Sequence, residues 1–227
     1  MLLHVPEVLD ADRLQRIRAL LAEAAWVDGR ITAGTQSAQA KNNQQLPEDA
    51  EAARAAGAIV LDGLKTSALF FTAALPKKIV PPLFNRYAEA TNAFGSHVDN
   101  AVRTLRTTGA HIRTDIAITL FLCDPGDYEG GELIVEDTFG AQSVKLPAGD
   151  LILYPASSVH RVQPVTRGAR LASFFWVESM VRDTAQRRML FDMDMAILAL
   201  RRDLGDAPPV VQLTSCYHNL LRMWADL

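Results

Sequence analysis

The first part of the chain has hydrophobic positions at the spacing of amphipathic helices. Near the start, apolar side chains recur every three or four positions, at Leu14, Ile17, Leu20, Leu21 and Ala24, and this periodicity predicts a helix with one buried face. Asp10 or Asp12 is expected to cap its first turn. A second helix is predicted from Pro47 through an alanine-rich run to about Leu64. Between the two helices, residues 29–47 are rich in Gly, Thr, Gln and Asn and predict loop or short strands.

The pattern changes from Lys77 onward to that of β-strands. Short segments rich in Ile, Val, Phe, Tyr and Thr alternate with turn signals that include Gly130-Gly131 and Phe139-Gly140. No long helical pattern interrupts them, so an antiparallel jelly roll is favoured over a βαβ fold. The eight predicted strands are Lys78–Val80, Phe84–Ala88, Asp115–Leu122, Glu132–Glu136, Ser143–Leu146, Asp150–Tyr154, Val159–Val165 and Arg170–Glu178.

The helical pattern returns after Ser179. One helix is predicted to reach Leu204, with a buried face formed by Met189, Leu190, Met193, Ile197 and Leu200. A final helix is expected to begin near Thr214 or Ser215. The sequence thus predicts a mainly β chain with flanking helices (α+β). Its parts are a helical and strand segment (1–76) that packs on the core, a jelly-roll core (77–179), also called a double-stranded β-helix, and a small helical extension (180–227).

Composition and charge narrow the classes of protein. The 227 residues are 49% hydrophobic and 22% charged, as in an ordinary globular domain. The net charge of −3 provides no general basic surface for nucleic acid or an anionic membrane. The amino terminus lacks a signal-peptide pattern, no apolar run approaches the roughly 18 residues of a membrane span, and two distant cysteines make no disulfide scaffold. We expect a cytoplasmic protein without nucleic-acid or membrane partners.

The histidines supply the first chemical signal. In His97-Val98-Asp99, side chains two positions apart share one face of an extended backbone, so both ends can point at one metal ion. His160 opens a later predicted strand and is the candidate third ligand. Two imidazoles and one carboxylate form the facial set of non-haem Fe(II) oxygenases, which leaves positions open for co-substrate and dioxygen. The same residues also suit zinc, as in a cupin-like isomerase or hydrolase.

Arg170 makes the iron interpretation stronger. It follows His160 by ten positions, across the turn at Thr166-Arg167-Gly168, so a hairpin brings the two close together. A 2-oxoglutarate molecule that chelates iron at one end leaves a distal carboxylate, which a guanidinium can bind through two parallel hydrogen bonds. The alternative is that Arg170 only begins a strand at the surface.

Several short segments carry a resemblance to a known family: Phe84-Asn85-Arg86-Tyr87, His97-Val98-Asp99-Asn100-Ala101, Tyr128-Glu129-Gly130-Gly131-Glu132-Leu133, Lys145-Leu146-Pro147-Ala148-Gly149-Asp150, Tyr154-Pro155, His160-Arg161-Val162 and Pro164-Val165-Thr166-Arg167-Gly168-Ala169-Arg170. With these segments, residues from about 76 to 183 resemble the PKHD-type hydroxylases, a bacterial branch of the prolyl-4-hydroxylase-like Fe(II)- and 2-oxoglutarate-dependent dioxygenases.

The resemblance implies a double-stranded β-helix that holds Fe(II) at His97, Asp99 and His160 and 2-oxoglutarate at Arg170. It further implies ascorbate as a reductant, dioxygen as the second co-substrate, and hydroxylation of a substrate that the sequence does not identify. Some members of the family are associated with iron or siderophore uptake. The alternative function is a non-catalytic jelly-roll protein that senses iron or 2-oxoglutarate. Exposed faces of the terminal helices also allow a homodimer.

Two further predictions concern residues near this site. Tyr87 precedes His97 by ten positions, and wider relatives often place a tyrosine there that donates a hydrogen bond to the co-substrate; the alternative is a half-buried aromatic of the sheet. The basic stretch after Asp99 either forms a lid over the site or is a solvated face, which is the commoner case. Its members are Arg103, Arg106, His111 and Arg113.

Overall fold

The computed structural model describes residues 1–32, 35–106, 108–138 and 140–227. Phe139 of the turn predicted at Phe139-Gly140, and residues 33 and 34 of the predicted loop, lie outside these ranges. The strands are β1 Leu3–Val5, β2 Val27–Asp28, β3 Lys41–Asn42, β4 Gln44–Gln45, β5 Pro76–Ile79, β6 Leu83–Ala88, β7 Ala93–His97, β8 Val102–Thr104, β9 His111–Arg113, β10 Ile116–Phe121, β11 Tyr128–Gly130, β12 Leu133–Asp137, β13 Gly140–Val144, β14 Leu151–Pro155, β15 His160–Val162 and β16 Val165–Ser179. The helices are α1 Ala11–Ala22, α2 Thr35–Ala40, α3 Glu51–Thr66, α4 Ala68–Ala74, α5 Thr184–Leu204 and α6 Pro208–Trp224.

Two antiparallel sheets form the core of the described chain. In the larger one the strand order is β1-β14-β10-β16-β6-β4-β2, and β5 and β11 also pair with β16. In the smaller one the order is β13-β12-β15-β7-β3, while β8 and β9 form a separate hairpin. Apolar side chains from both large sheets pack together in one buried cluster. The predicted α+β jelly roll is therefore confirmed.

The larger sheet is buried on both of its faces. Every residue of β10 is buried, which explains why this strand lacks a hydrophobic and polar alternation. Ile116, Ile118 and Leu120 join a core with α1, α3 and α4, whereas Ala117 and Phe121 join the cluster between the sheets. The amino-terminal helices thus cover the outside of the sheet and leave its inner face for the site.

The helix boundaries correct some details of the sequence prediction. Asp10 caps α1 by accepting the Arg13 N–H at 2.8 Å. The second helix begins at Glu51, so the predicted start at Pro47 is wrong. The final helix begins at Pro208 rather than near Thr214 or Ser215, because the first helical positions need no backbone N–H and tolerate proline.

The predicted buried face of α5 is also only partly right. Leu190 and Ile197 pack against α6, but Met189 and Leu200 are exposed. Strands β1 and β7 were not predicted, whereas β3 and β4 lie within residues 29–47, for which loop or short strands were predicted. No single helix of the described ranges is long and apolar enough to cross a membrane, and α3 with α4, bent by 88°, meets those requirements only as a pair.

Candidate active site

Three side chains with ligand atoms meet between the two sheets. His97 ends β7 and lies opposite His160 in the antiparallel pairing of β7 with β15. Asp99 follows His97 by two positions, and the exposed side chain of Val98 between them points away from the site. The ligand atoms of the three residues lie within 4.8 Å of one another, with 3.8 Å between His160 Nε2 and Asp99 Oδ2. The structure thus brings together the three residues that the sequence selected.

Local hydrogen bonds orient both imidazoles. His97 Nδ1 lies 2.8 Å from the carbonyl oxygen of Gly95, and His160 Nδ1 lies 3.0 Å from that of Ser158. A carbonyl can only accept, so each Nδ1 carries a proton, and in the neutral form of each imidazole the lone pair is at Nε2. This is the arrangement found in most metal-binding histidines, whose second nitrogen donates to a backbone carbonyl or carboxylate.

Burial sets the protonation of the cluster. Burial, and next the charge of His160, lower the pKa of His97 to about 3. Burial raises the pKa of Asp99, although His160 and a hydrogen bond from the Trp176 indole oppose that shift. Since a metal requires neutral imidazoles and an ionised carboxylate, His97 already has the binding form at neutral pH. A divalent ion would offset the cost of ionising Asp99, so the donor set fits Fe(II).

Arg170 lines the same cavity as this cluster. Its side chain is 1% exposed, and its guanidinium carbon lies 5.3 Å from the ring centre of Tyr87 and 5.2 Å from that of Phe121. Its Nε and one terminal nitrogen have no hydrogen-bond partner among the described residues. A buried cation with unsatisfied donors is costly, so this position fits the carboxylate end of a ligand.

Tyr87 lies directly opposite Arg170 in the pairing of β6 with β16. It is fully buried and lines the cavity, and Asn85 Nδ2 donates to its hydroxyl at 3.5 Å. Burial raises the pKa of Tyr87, so the phenol keeps its proton and can act as a hydrogen-bond donor at neutral pH.

Tyr128 is a residue that the sequence argument missed. It does not line the cavity, and its phenol lies beside Arg170, where burial raises the pKa of the hydroxyl above its ordinary value. Gly131 makes this packing possible at a φ of +68°, because a Cβ there would lie 3.0 Å from the Tyr128 ring and 3.1 Å from Arg170 Cδ. The signal was present in Tyr128-Glu129-Gly130-Gly131, from which only the glycines were interpreted.

Tyr154 was missed as well. Its ring meets that of His160 edge to face, with 5.1 Å between ring centres, and a hydrogen bond joins its hydroxyl to Thr119. Burial raises the pKa of Tyr154 well above 10, so its uncharged phenol supports the imidazole from the larger sheet.

The four residues of the predicted basic stretch lie in different parts of the structure. Arg103 lines the cavity, stacks on Trp176 at 5.1 Å and pairs with Glu48 at 2.7 Å. Arg113 instead bonds to Asp115 at 2.7 Å, outside the cavity lining. Arg106 and His111 are exposed around the β8–β9 hairpin. Only one of the four therefore reaches the site.

Comparisons with known proteins agree with this geometry. A family model described as the 2OG-Fe(II) oxygenase superfamily matches residues 82–178, and one described as the PKHD-type hydroxylase C-terminal domain matches residues 184–226. A PKHD-type hydroxylase of Polaromonas sp. (strain JS666 / ATCC BAA-500) is 59% identical and one of Variovorax paradoxus (strain S110) is 60% identical, each with 100% of both chains covered.

A solved structure supports the fold. The prolyl-4-hydroxylase of Pseudomonas putida superimposes with a TM-score of 0.52 and 20% identity, covering 78% of this chain and 92% of that one. The identity is too low to transfer a substrate. With the full-length relatives, however, the family is clear: the chain belongs to the PKHD-type hydroxylases and is a 2-oxoglutarate-dependent dioxygenase.

Proposed function

We propose that this enzyme hydroxylates a C–H bond of its substrate, with Fe(II) bound by His97, Asp99 and His160. Arg170 binds the distal carboxylate of 2-oxoglutarate, and Tyr87 donates a hydrogen bond to the co-substrate. One observation carries the proposal: two imidazoles and a carboxylate share a cavity with a buried guanidinium, two of whose nitrogens lack hydrogen-bond partners among the described residues. A ligand with a chelating end and a carboxylate end matches both groups.

Bound iron and 2-oxoglutarate supply the oxidant: one atom of dioxygen enters succinate as carbon dioxide leaves, and the other becomes the hydroxyl group of the product. The residues of the chain position and protect the reactants. The carbonyls of Gly95 and Ser158 hold both Nε2 atoms toward one point. Aromatic side chains, including Phe94 and Trp176, line the cavity and limit access of water.

Finer parts of the proposal rest on the family resemblance, on the sequence pattern or on the exposed faces of the terminal helices. They are ascorbate as the reductant, a link to iron or siderophore metabolism, a homodimer, and a division of labour in which residues 77–179 carry the chemistry while 1–76 and 180–227 support it. A cytoplasmic setting is proposed because Cys123 and Cys216 are both thiols, as is usual in a reducing compartment.

The decisive experiment measures Fe(II) binding without oxygen, by calorimetry, in the variants His97→Ala and Asp99→Ala. Each should bind Fe(II) more than about 100-fold less tightly, since even outer partners of metal ligands contribute 10- to 100-fold. The rate of succinate release from 2-oxoglutarate in air should fall together with the affinity for Fe(II).

The matched control is His218→Ala, which removes an exposed histidine of α6 and should leave both measurements unchanged. Circular dichroism establishes that each variant is folded. Wild-type iron affinity in folded His97→Ala or Asp99→Ala would disprove the assignment.

A further inference from the structure

One polar wall of the cavity is not used by iron or 2-oxoglutarate in the function proposed above. It is formed by Lys41 on β3, Asn43 between β3 and β4, and Asn85 on β6, all of which line the cavity. None of these side chains is more than 7% exposed. Buried ammonium and amide groups that line a cavity can bind the polar group of a ligand that enters it.

Lys41 places a cation between aromatic side chains. Its Nζ donates to Gln45 Oε1 at 2.8 Å and lies 5.4 Å from the ring centre of Phe94 and 5.6 Å from that of Phe174. The Phe94 ring also stacks on His97, with 3.6 Å between ring centres. Phe94 thus contacts both the ammonium and an iron-binding imidazole, so a ligand held at Lys41 lies next to the reaction centre.

Charges around the cavity favour an anion at this wall. The charged groups that act on Lys41 are Arg103, Asp99 and Asp28. Asp99 serves the metal, Asp28 bonds to Arg30, and Arg103 pairs with Glu48. With Fe(II) and the doubly charged 2-oxoglutarate bound, the formal charges of these two ligands, Asp99, Arg170 and Lys41 would together be +1, which favours an anionic group in the remaining space of the cavity.

The two amides have unused hydrogen-bonding capacity. The Asn43 amide forms a hydrogen bond with Tyr87, but Asn43 Oδ1 and Asn85 Oδ1 have no hydrogen-bond partner among the described residues. An amide N–H beside an ammonium suits a carboxylate oxygen, and the amide oxygens suit an N–H or O–H group close to it. The wall offers one cation, Lys41, beside two neutral amides. This set suits a singly charged carboxylate better than a phosphate, which is usually bound by pairs or clusters of arginines.

We propose that Lys41, Asn43 and Asn85 form a second anion-binding subsite and that the substrate carries a carboxylate group that binds there. The substrate class is an organic acid whose carboxylate contacts Lys41 while its carbon skeleton lies between Phe94 and Phe174. The inference rests on the proposed function, because it takes Arg170 and the metal as the 2-oxoglutarate site.

The test uses the enzyme loaded with Fe(II) and saturating 2-oxoglutarate in the absence of oxygen, so that the co-substrate site is filled. Calorimetry compares 3-phenylpropionate with its neutral analogue 3-phenylpropionamide, a pair that differs only in the charge-bearing group. The carboxylate should bind at least about tenfold more tightly, as expected for a charge-assisted contact in a desolvated site.

Two lysine variants locate the effect. Lys41→Met keeps the length of the apolar side chain and should remove the preference for the carboxylate while leaving 2-oxoglutarate binding within twofold of wild type. Lys77→Met makes the same change of charge at a lysine that pairs with Asp226 and does not line the cavity, and it should keep the preference.

Each failure has a distinct meaning. Equal binding of acid and amide by the wild-type enzyme, no binding of either, or a preference that survives in Lys41→Met would overturn the subsite. A loss of 2-oxoglutarate affinity in Lys41→Met would instead assign this lysine to the co-substrate and also overturn it. If the wild-type enzyme does not bind 2-oxoglutarate with Fe(II), the proposed function itself fails.

Discussion

The two ends of the cavity are built differently. Around Arg170, the side chains come from the central strands β6, β10 and β16, and all are almost completely buried. Around Arg103, the wall comes from the separate β8–β9 hairpin, in which Val102 is exposed. From this difference we expect the buried end at Arg170 to bind the co-substrate and the more exposed end at Arg103 to contribute to the choice of substrate.

The largest effect is expected from Arg170→Ala. If the guanidinium binds the distal carboxylate through two hydrogen bonds as proposed, its removal should weaken 2-oxoglutarate binding more than about 100-fold. Calorimetry with Fe(II) under anaerobic conditions measures it. Arg167→Ala is the control, because Arg167 lies on the same strand, is exposed and pairs with Glu129. Unchanged affinity in Arg170→Ala would place the co-substrate elsewhere.

A smaller effect is expected from Gly131→Ala, which alters the support of Arg170. The new Cβ would lie 2.8 Å from the Val165 side chain and close to Arg170 Cδ, at a φ that disfavours alanine. We expect a loss of about 2 kcal/mol in the free energy of unfolding, typical of such strain, and weaker 2-oxoglutarate binding. Urea denaturation and calorimetry measure both.

Gly126→Ala is the matched control for Gly131→Ala, since nothing lies within 4 Å of a Cβ at Gly126. Its stability should stay close to that of wild type. If both variants behave alike, the close packing around Gly131 does not hold Arg170.

Acid should lower the stability of the folded protein through His97, in the proposed metal site. The pKa of His97 is lowered to about 3 in the folded protein, from about 6.5 in the unfolded chain. The unfolded state therefore binds more protons, and stability is lost as pH falls below 6.5. After removal of metal by a chelator, this residue should contribute a loss of about 2 kcal/mol between pH 6.5 and 5.

Thermal and urea unfolding at both pH values measure this loss, and His97→Gln should reduce it. An identical pH dependence in His97→Gln would show that other groups cause the acid sensitivity. Since Fe(II) binds only the neutral imidazole, adding iron at neutral pH should widen the difference in stability between pH 7 and pH 5.

The smallest effect is expected at the peripheral end. Arg103→Gln removes the ion pair with Glu48 and the stack on Trp176, and we expect at most about 1 kcal/mol of lost stability, as for partly exposed pairs. Binding of Fe(II) and 2-oxoglutarate should stay within twofold of wild type. If Arg103→Gln lost as much 2-oxoglutarate affinity as Arg170→Ala, the two ends of the cavity would not differ in function.

The sequence predicted the sheet core well where residues carry their own signal. Strand β14 consists of contiguous apolar residues, and β10 does so apart from Thr119. The residue types of His97, Asp99, His160 and Arg170, with their spacing, were enough to predict a metal and co-substrate site. The strand that carries His97 was not predicted, because Ala93-Phe94-Gly95-Ser96 has little β propensity. It forms through pairing with β15 and β3.

The remaining features depend on contacts between distant segments. Lys41 lies in a polar stretch that gave no sign of burial, and only its pairing beside Phe94 brings it into the cavity. Tyr128 meets Arg170 through the β11–β16 pairing. Likewise, the final helix was predicted to begin near Thr214 or Ser215, although α6 begins at Pro208. Such features follow from tertiary pairing, which a local pattern does not encode.

The backbone carbonyls that hold the two imidazoles have an evolutionary consequence. In each case the acceptor lies only two positions before the histidine, so the hydrogen bond that orients the ring comes from the backbone of the same short segment. We therefore expect that residues of the cavity wall outside these segments can change, and with them the molecule that is oxidised, while the hydrogen bonds of the histidines are kept. New specificities should arise by substitution around a fixed pair of nitrogens.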